Sequence, residues 1–303
     1  MNNDESPLAD TEVHYLTSDM VNDEFKIFVG HCGTTGQHRV PVLYLTDANG
    51  YFGGAVDIVR GMQLGFHLPP LLIVGIGYRA GGIADTIARR TRDLTPTRDA
   101  GFAGLFPDQE AMGGADALLQ FISKELKPWV LDRYDVDHEN ATYFGHSFGG
   151  LFGIHVLLTA PAEFRRYIIG SPSLWWDRSV MFDYQALSAG ESVSAGEAGA
   201  DLETGLGRID GDDPMVVYLG VGANETHEGR QREAVNMPAD ERAKSNTRYI
   251  DMVADTIKMS EELRQLDWLK TRVELDIFPG EYHITVPLLT LSRGLRNVFD
   301  APR

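Results

Sequence analysis

The feature that most limits how this chain can fold is a repeated exchange between short, β-rich apolar runs, several of them apolar almost throughout, and longer segments of helical periodicity. The runs are Phe25 to Val29, Val40 to Thr46, Leu71 to Ile76, Ala141 to Phe144, Tyr167 to Ile169, Met215 to Leu219 and Val273 to Phe278. A strand that is apolar on both faces must be covered on both faces, and parallel neighbours need connections long enough to hold a helix. The pattern therefore predicts an α/β fold, a mainly parallel central sheet flanked by helices.

Between the runs, Ala115 to Tyr134 puts Leu118, Leu119, Ile122 and Leu126 on one helical stripe, and Thr247 to Leu266 does the same with Ile250, Val253, Ile257 and Leu263. Pro128 should end or bend the first of these helices. Leu151 to Thr159 reads as a buried helix before Pro161, and Pro287 to Phe299 as the closing helix. Residues 188–213 are rich in Gly, Ser and acids with little periodicity, which predicts a surface excursion. Strand-like and helical segments resume beyond it, so residues 1–303 read as a single domain carrying an insertion.

A net charge of −17 disfavours nucleic acid and anionic membranes, both of which need clustered Lys and Arg. Arg89-Arg90-Thr91-Arg92 is the local exception, read either as a solvated turn paired with nearby acids or as a positive patch. No apolar run reaches the roughly 18 residues of a membrane span. The acidic start, Met1 to Pro7, lacks the features of a secretory signal, so a cytoplasmic protein is expected, although a mature secreted form would look the same. Cys32 is the single cysteine, which rules out an intrachain disulfide and a thiolate metal cluster. No cofactor is expected: Gly75 to Gly81 misses the dinucleotide spacing, no P-loop is present, and His227-Glu228 has no second His at helical spacing.

The chemistry concentrates in Ala141 to Gly153, where Gly145-His146-Ser147-Phe148-Gly149 lies between a strand and a helix. A serine hydroxyl needs exposure, a base and oxyanion donors before it can act as a nucleophile, and a sharp strand-turn-helix elbow supplies the first. Ser147 is the candidate nucleophile, with the helix N-terminus beyond it favouring negative charge. On such an elbow the acid and then the base follow in the chain. His155, inside the apolar helix, reads as a hydrogen-bonded core residue. His227 follows the strand Met215 to Leu219, and His283 lies between the last strand and the last helix. His283 is the favoured base. Glu225, past the end of the strand Met215 to Leu219, is the favoured acid, with Glu228 and Glu281 as alternatives. One oxyanion donor should be the backbone amide of Phe148, and the turn Asp47-Ala48-Asn49-Gly50 offers a second, Asn49 ahead of Ala48.

These residues resemble the esterase branch of the α/β-hydrolases that includes the IroE-like and enterochelin-type siderophore esterases, esterase D and the mycolyltransferases. The marks are Leu43 to Asp47, Thr91 to Pro96, Gly113 to Asp116, Gly145 to Gly150, Ser171-Pro-Ser-Leu-Trp-Trp176, and Gly222 with Glu225. The resemblance covers most of the chain and places nucleophile, acid and histidine on Ser147, Glu225 and His283. It departs at the early turn, which often reads Asp-Gly in that group and here reads Asp47-Ala48. It implies an α/β-hydrolase fold and a small-molecule ester substrate, siderophore esters being one subclass. Trp175 and Trp176, past a strand end, could wall such a substrate, or one of them could be core. Arg89, Arg90 and Arg92 could meet an anionic substrate group.

The leading expectation is thus a serine carboxylesterase. Acyl transfer is second, because only exclusion of water separates it from hydrolysis. A noncatalytic binding protein on the same scaffold is the rival of another class. The sequence leaves the oligomeric state open, a homo-oligomer included.

Overall fold

The computed structural model of the chain describes residues 8–33, 39–79, 81–105, 111–183, 215–236, 238–239, 242, 248–266, 269 and 271–299. Strands β1 (Thr11–Ser18), β2 (Asp23–Cys32), β3 (Val40–Leu45), β4 (Leu71–Tyr78), β5 (Val136–His146), β6 (Arg166–Gly170), β7 (Met215–Gly222) and β8 (Thr271–Phe278) form one sheet in the order β1-β2-β4-β3-β5-β6-β7-β8. β2 pairs antiparallel with β1 and β4, and the remaining pairings are parallel. All seven apolar runs lie on strands. The pattern does not mark β1, because it is an edge strand in which Glu12, His14 and Thr17 interrupt the apolar residues.

Helices α1 (Ala48–Leu64), α2 (Ile83–Leu94), α3 (Ala100–Leu105), α4 (Ala115–Phe121), α5 (Lys127–Arg133), α6 (Phe148–Thr159), α7 (His227–Ala234), α8 (Met252–Gln265) and α9 (Pro287–Phe299) are the α-helices among the described elements. α1 and α9 cover one face of the sheet, burying Phe52, Val56, Val59, Leu291, Leu295 and Val298. α4, α5, α6 and α8 supply the core on the other face, among them Leu118, Val130, Leu151, Phe152 and Leu263. α6 is apolar on every side and buried from Phe148 to Leu157, as a helix pressed between sheet and outer helices must be. Among the described residues no helix is long and apolar enough to cross a membrane.

Three expectations shift. Of the two outcomes expected at Pro128, an end or a bend, the helix begun at Ala115 does not end there; it passes through a π-helical turn, Ile122–Leu126, into α5. Proline has no amide to donate, and a wider turn just before it absorbs the missing bond. α8 begins at Met252 because Asp251 caps it, its side chain accepting from the Ala254 amide at 2.9 Å. Arg89 to Arg92 sit in a helix, not a turn. His155 is 3% exposed and bonded to Asp116 Oδ1 at 2.8 Å, as expected of a core histidine. The excursion at 188–213 lies outside the described residues.

The parallel register aligns the carboxyl ends of β3, β5, β6, β7 and β8: Leu45 is paired with Phe144, Gly145 with Ile169, Ile169 with Leu219, and Gly222 with Phe278. Side chains on the connections leaving these ends converge on one edge of the sheet, where ligands bind in such folds.

Candidate active site

A single residue, Ser147, turns the chain from β5 into α6, with φ 61° and ψ −118°. A non-glycine residue at positive φ is strained, so the surroundings must hold it there. Its amide donates to the Gly170 carbonyl at 3.0 Å, and its carbonyl accepts from Leu151 at 2.9 Å and from Ser173 at 3.2 Å. The glycines of the elbow are a steric requirement: a Cβ on Gly149 would sit 2.5 Å from Thr46 Oγ1, and one on Gly145 would strike the Gly149 carbonyl. That carbonyl accepts from the buried Tyr143 hydroxyl at 2.7 Å, which ties the elbow to β5. The Ser147 hydroxyl is half-exposed and faces Ser173 Oγ at 3.4 Å.

Glu225 lies just beyond β7 and is 1% exposed. Its Oε2 meets His283 Nδ1 at 2.6 Å, and its Oε1 accepts from Ser171 Oγ at 2.6 Å and from the Gly222 amide at 2.8 Å. Glu225, not Glu228 or Glu281, is thus the carboxylate paired with the histidine. With Nδ1–H directed at the carboxylate, Nε2 is left as the lone-pair nitrogen. The ring of His283 lies against that of His146, the residue before the nucleophile, at 4.6 Å between centroids. The histidine therefore stands beside the elbow. His227 is turned elsewhere, stacked on Tyr249 at 4.3 Å and bonded to Gln231 at 3.0 Å.

Ser171 is a contact the sequence reading missed, although it stands in the Ser171 to Trp176 segment used as a family mark. Its hydroxyl occupies the side of Glu225 that His283 does not. Ser171→Ala should lower kcat about tenfold to a hundredfold, the worth of a hydrogen bond to a charged group. Steady-state kinetics check this, and a wild-type kcat in the folded variant contradicts it.

The turn after β3 is built on Asp47, in the left-handed region at φ 54° and ψ 34°. Arg90 reaches it from α2 with two parallel bonds, Nε to Oδ1 at 2.8 Å and Nη2 to Oδ2 at 2.9 Å. The same guanidinium lies 5.0 Å from the centre of the Phe148 ring. Burial works against the Arg90 charge, but the Asp47 carboxylate outweighs it and holds the pKa above its ordinary value. The amides of Ala48 and Asn49 open the first turn of α1, where the helix leaves its donors without intrahelical partners. The Asn49 side chain is committed to the end of β4, accepting from the Tyr78 amide at 2.7 Å and donating to the Tyr78 carbonyl at 2.9 Å.

The arginines do not stand ready for an anionic ligand. Arg90 is spent on Asp47, Arg92 holds Asp93 at 2.6 Å and Asp23 at 2.9 Å, and Arg89 holds Asp23 at 2.9 Å and Asp85 at 3.1 Å. In a chain with 44 acids against 27 bases, a basic cluster finds carboxylates of its own. Arg90→Met should cost about 3 kcal/mol of stability, because it leaves Asp47 without its partner. Thermal unfolding reads this, and an unchanged Tm contradicts it.

Trp176 is fully buried and donates its indole N–H to the Thr97 carbonyl at 3.1 Å, so it is core and not a substrate wall. Trp175 is half-buried. It packs near Phe102 and Phe148, with Arg248 over its ring at 5.7 Å. Arg248 is fixed by two bonds to Asp99, at 2.5 and 2.6 Å. Burial pushes Asp99 up, but Arg248 together with the amides of Phe102 and Asp177 more than offsets this, and the Asp99 pKa falls to about 2.

The assembly of elbow serine, histidine and buried glutamate can support nucleophilic acyl chemistry. Comparison with known proteins agrees in kind. The family model described as Putative esterase matches residues 18–254. Over 94% of its length the chain is 31% identical to the ferri-bacillibactin esterase BesA of Bacillus subtilis, covering 88% of that protein. It is 29% identical to the siderophore triacetylfusarinine C esterase of Aspergillus fumigatus, with 97% of this chain and 94% of that one covered. Among solved structures, the siderophore hydrolase EstB of Aspergillus nidulans superposes with a TM-score of 0.74 at 25% identity, over 99% of both chains. With an eight-stranded, mostly parallel sheet and this match across most of its length, the chain belongs to the Putative esterase family, as an ester hydrolase on an α/β-hydrolase fold.

Proposed function

We propose that the chain is a serine carboxylesterase that cleaves siderophore esters through an acyl-enzyme on Ser147. The observation that carries the mechanism is the Glu225–His283 pair, 2.6 Å long and packed beside an elbow that holds Ser147 at φ 61°. His283 Nε2 takes the Ser147 proton as Oγ attacks the ester carbonyl, and Glu225 stabilises the imidazolium. The backbone amide of Phe148 and the first-turn amides of α1, Asn49 foremost, receive the oxyanion. Collapse expels the alcohol, which takes its proton from His283. Water then attacks the acyl-enzyme, giving its proton to His283, and Ser147 leaves with that proton as the acid is released.

The substrate class rests on the names of the relatives: one is named for ferri-bacillibactin, another for triacetylfusarinine C. Trp175, half-buried near Phe148, would wall the acyl side. The test is a kcat/KM comparison of these two siderophores with aryl esters of graded acyl length. At least one siderophore should be preferred over every aryl ester. Turnover of aryl esters with neither siderophore cleaved would reject the substrate assignment.

A further inference from the structure

His146 is a buried titratable group that the mechanism above does not use. It is 2% exposed; neither ring nitrogen meets a partner at full hydrogen-bond geometry among the described residues, and the backbone of His283 acts on the ring only as a weak hydrogen-bond partner. Burying an imidazole in this way is costly, and an apolar side chain would avoid that cost. Its surroundings are specific. From the loop after β8, the His283 ring lies 4.6 Å away between centroids, the two planes tilted 39° to one another. From α1, Tyr51 meets it edge-on at 6.1 Å and 85°. On the β6 side, a Cβ at Gly170 would lie 2.9 Å from His146 Nδ1, so the ring fits closely over the neighbouring strand.

We infer that His146 is a positioning residue for the base: its neutral ring fixes the plane of His283 and favours the imidazolium that forms when Ser147 gives up its proton. The inference rests on the serine mechanism proposed above. The π face of a neutral ring attracts a cation across this distance far more than it attracts a neutral imidazole. Glu225 acts on the same imidazolium through Nδ1, in the ring plane, whereas His146 acts from the tilted ring beside it.

The device works only while His146 carries no proton, and the groups around it enforce that. Burial, then the neighbouring His283 ring and then Arg90 from α2 push its pKa well below the ordinary range, outweighing the His283 backbone, which acts the other way. Tyr51 does not counter them with an anion, because burial and then Asp47 push its pKa up to about 12.

The test combines two variants with histidine NMR. In His146→Leu the His283 pKa should fall by about half a unit and the acid limb of kcat/KM should move to lower pH with it. kcat should drop severalfold with little change in KM. His146→Phe restores an aromatic face and should restore the wild-type limb. In the wild type, His146 should stay neutral across the working pH range of the enzyme. That measurement needs no variant to fold. A His146 that titrates in this window, or a folded His146→Leu with the His283 pKa unmoved, overturns the inference. The NMR arm reads His283 without turnover, so a failure of the serine mechanism, seen as full activity of Ser147→Ala, is distinguished from a failure of the His146 role.

Discussion

Ser147→Ala is expected to lower kcat for an aryl ester by roughly ten-thousandfold to a millionfold while the protein stays folded. Alanine can occupy the same backbone conformation, held by the same Gly170, Leu151 and Ser173 contacts, so the substitution removes little besides Oγ. The 3.4 Å approach of that oxygen to Ser173 is too long to contribute much to stability. Amides aimed at the oxyanion survive, which is why a residual rate above that of water is expected. KM should change far less than kcat. Turnover within about tenfold of wild type would end the nucleophile assignment.

His283→Ala should cost a similar factor, because a nucleophile without its base is as idle as a base without its nucleophile. The informative control is His227→Ala. His227 also follows β7, but it is stacked on Tyr249 and bonded to Gln231, so its loss should leave kcat within about twofold. Activity lost only with His227→Ala would reverse the assignment.

The sheet was legible because its central strands each carry an apolar run, and a continuous apolar run has few other places to go. β1 escaped because an edge strand facing water on one side carries Glu12 and His14. The sequence reading placed Ser147, Glu225 and His283 together because each follows the end of a parallel strand, and parallel ends share an edge. What surrounds them was not legible. Arg90 looked like a ligand for an anion because clustered positive charge is visible along the chain. Its partner Asp47, 43 positions away, is not. Trp175 and Trp176 are adjacent and identical in type, yet one is half-buried and the other core, a difference set by the turn between them and β6. His146 gave no signal at all, since the position before an elbow serine accepts many residues and its role depends on a ring 137 positions later.

The central claim is that Ser147 is the activated nucleophile, and the most direct measurement is labelling with a fluorophosphonate probe followed by peptide mapping. A single adduct on Ser147 in the native protein, absent from Ser147→Ala and strongly slowed in His283→Ala, is the predicted result. No adduct on the folded native protein, or an adduct on another residue that abolishes ester turnover, would contradict it.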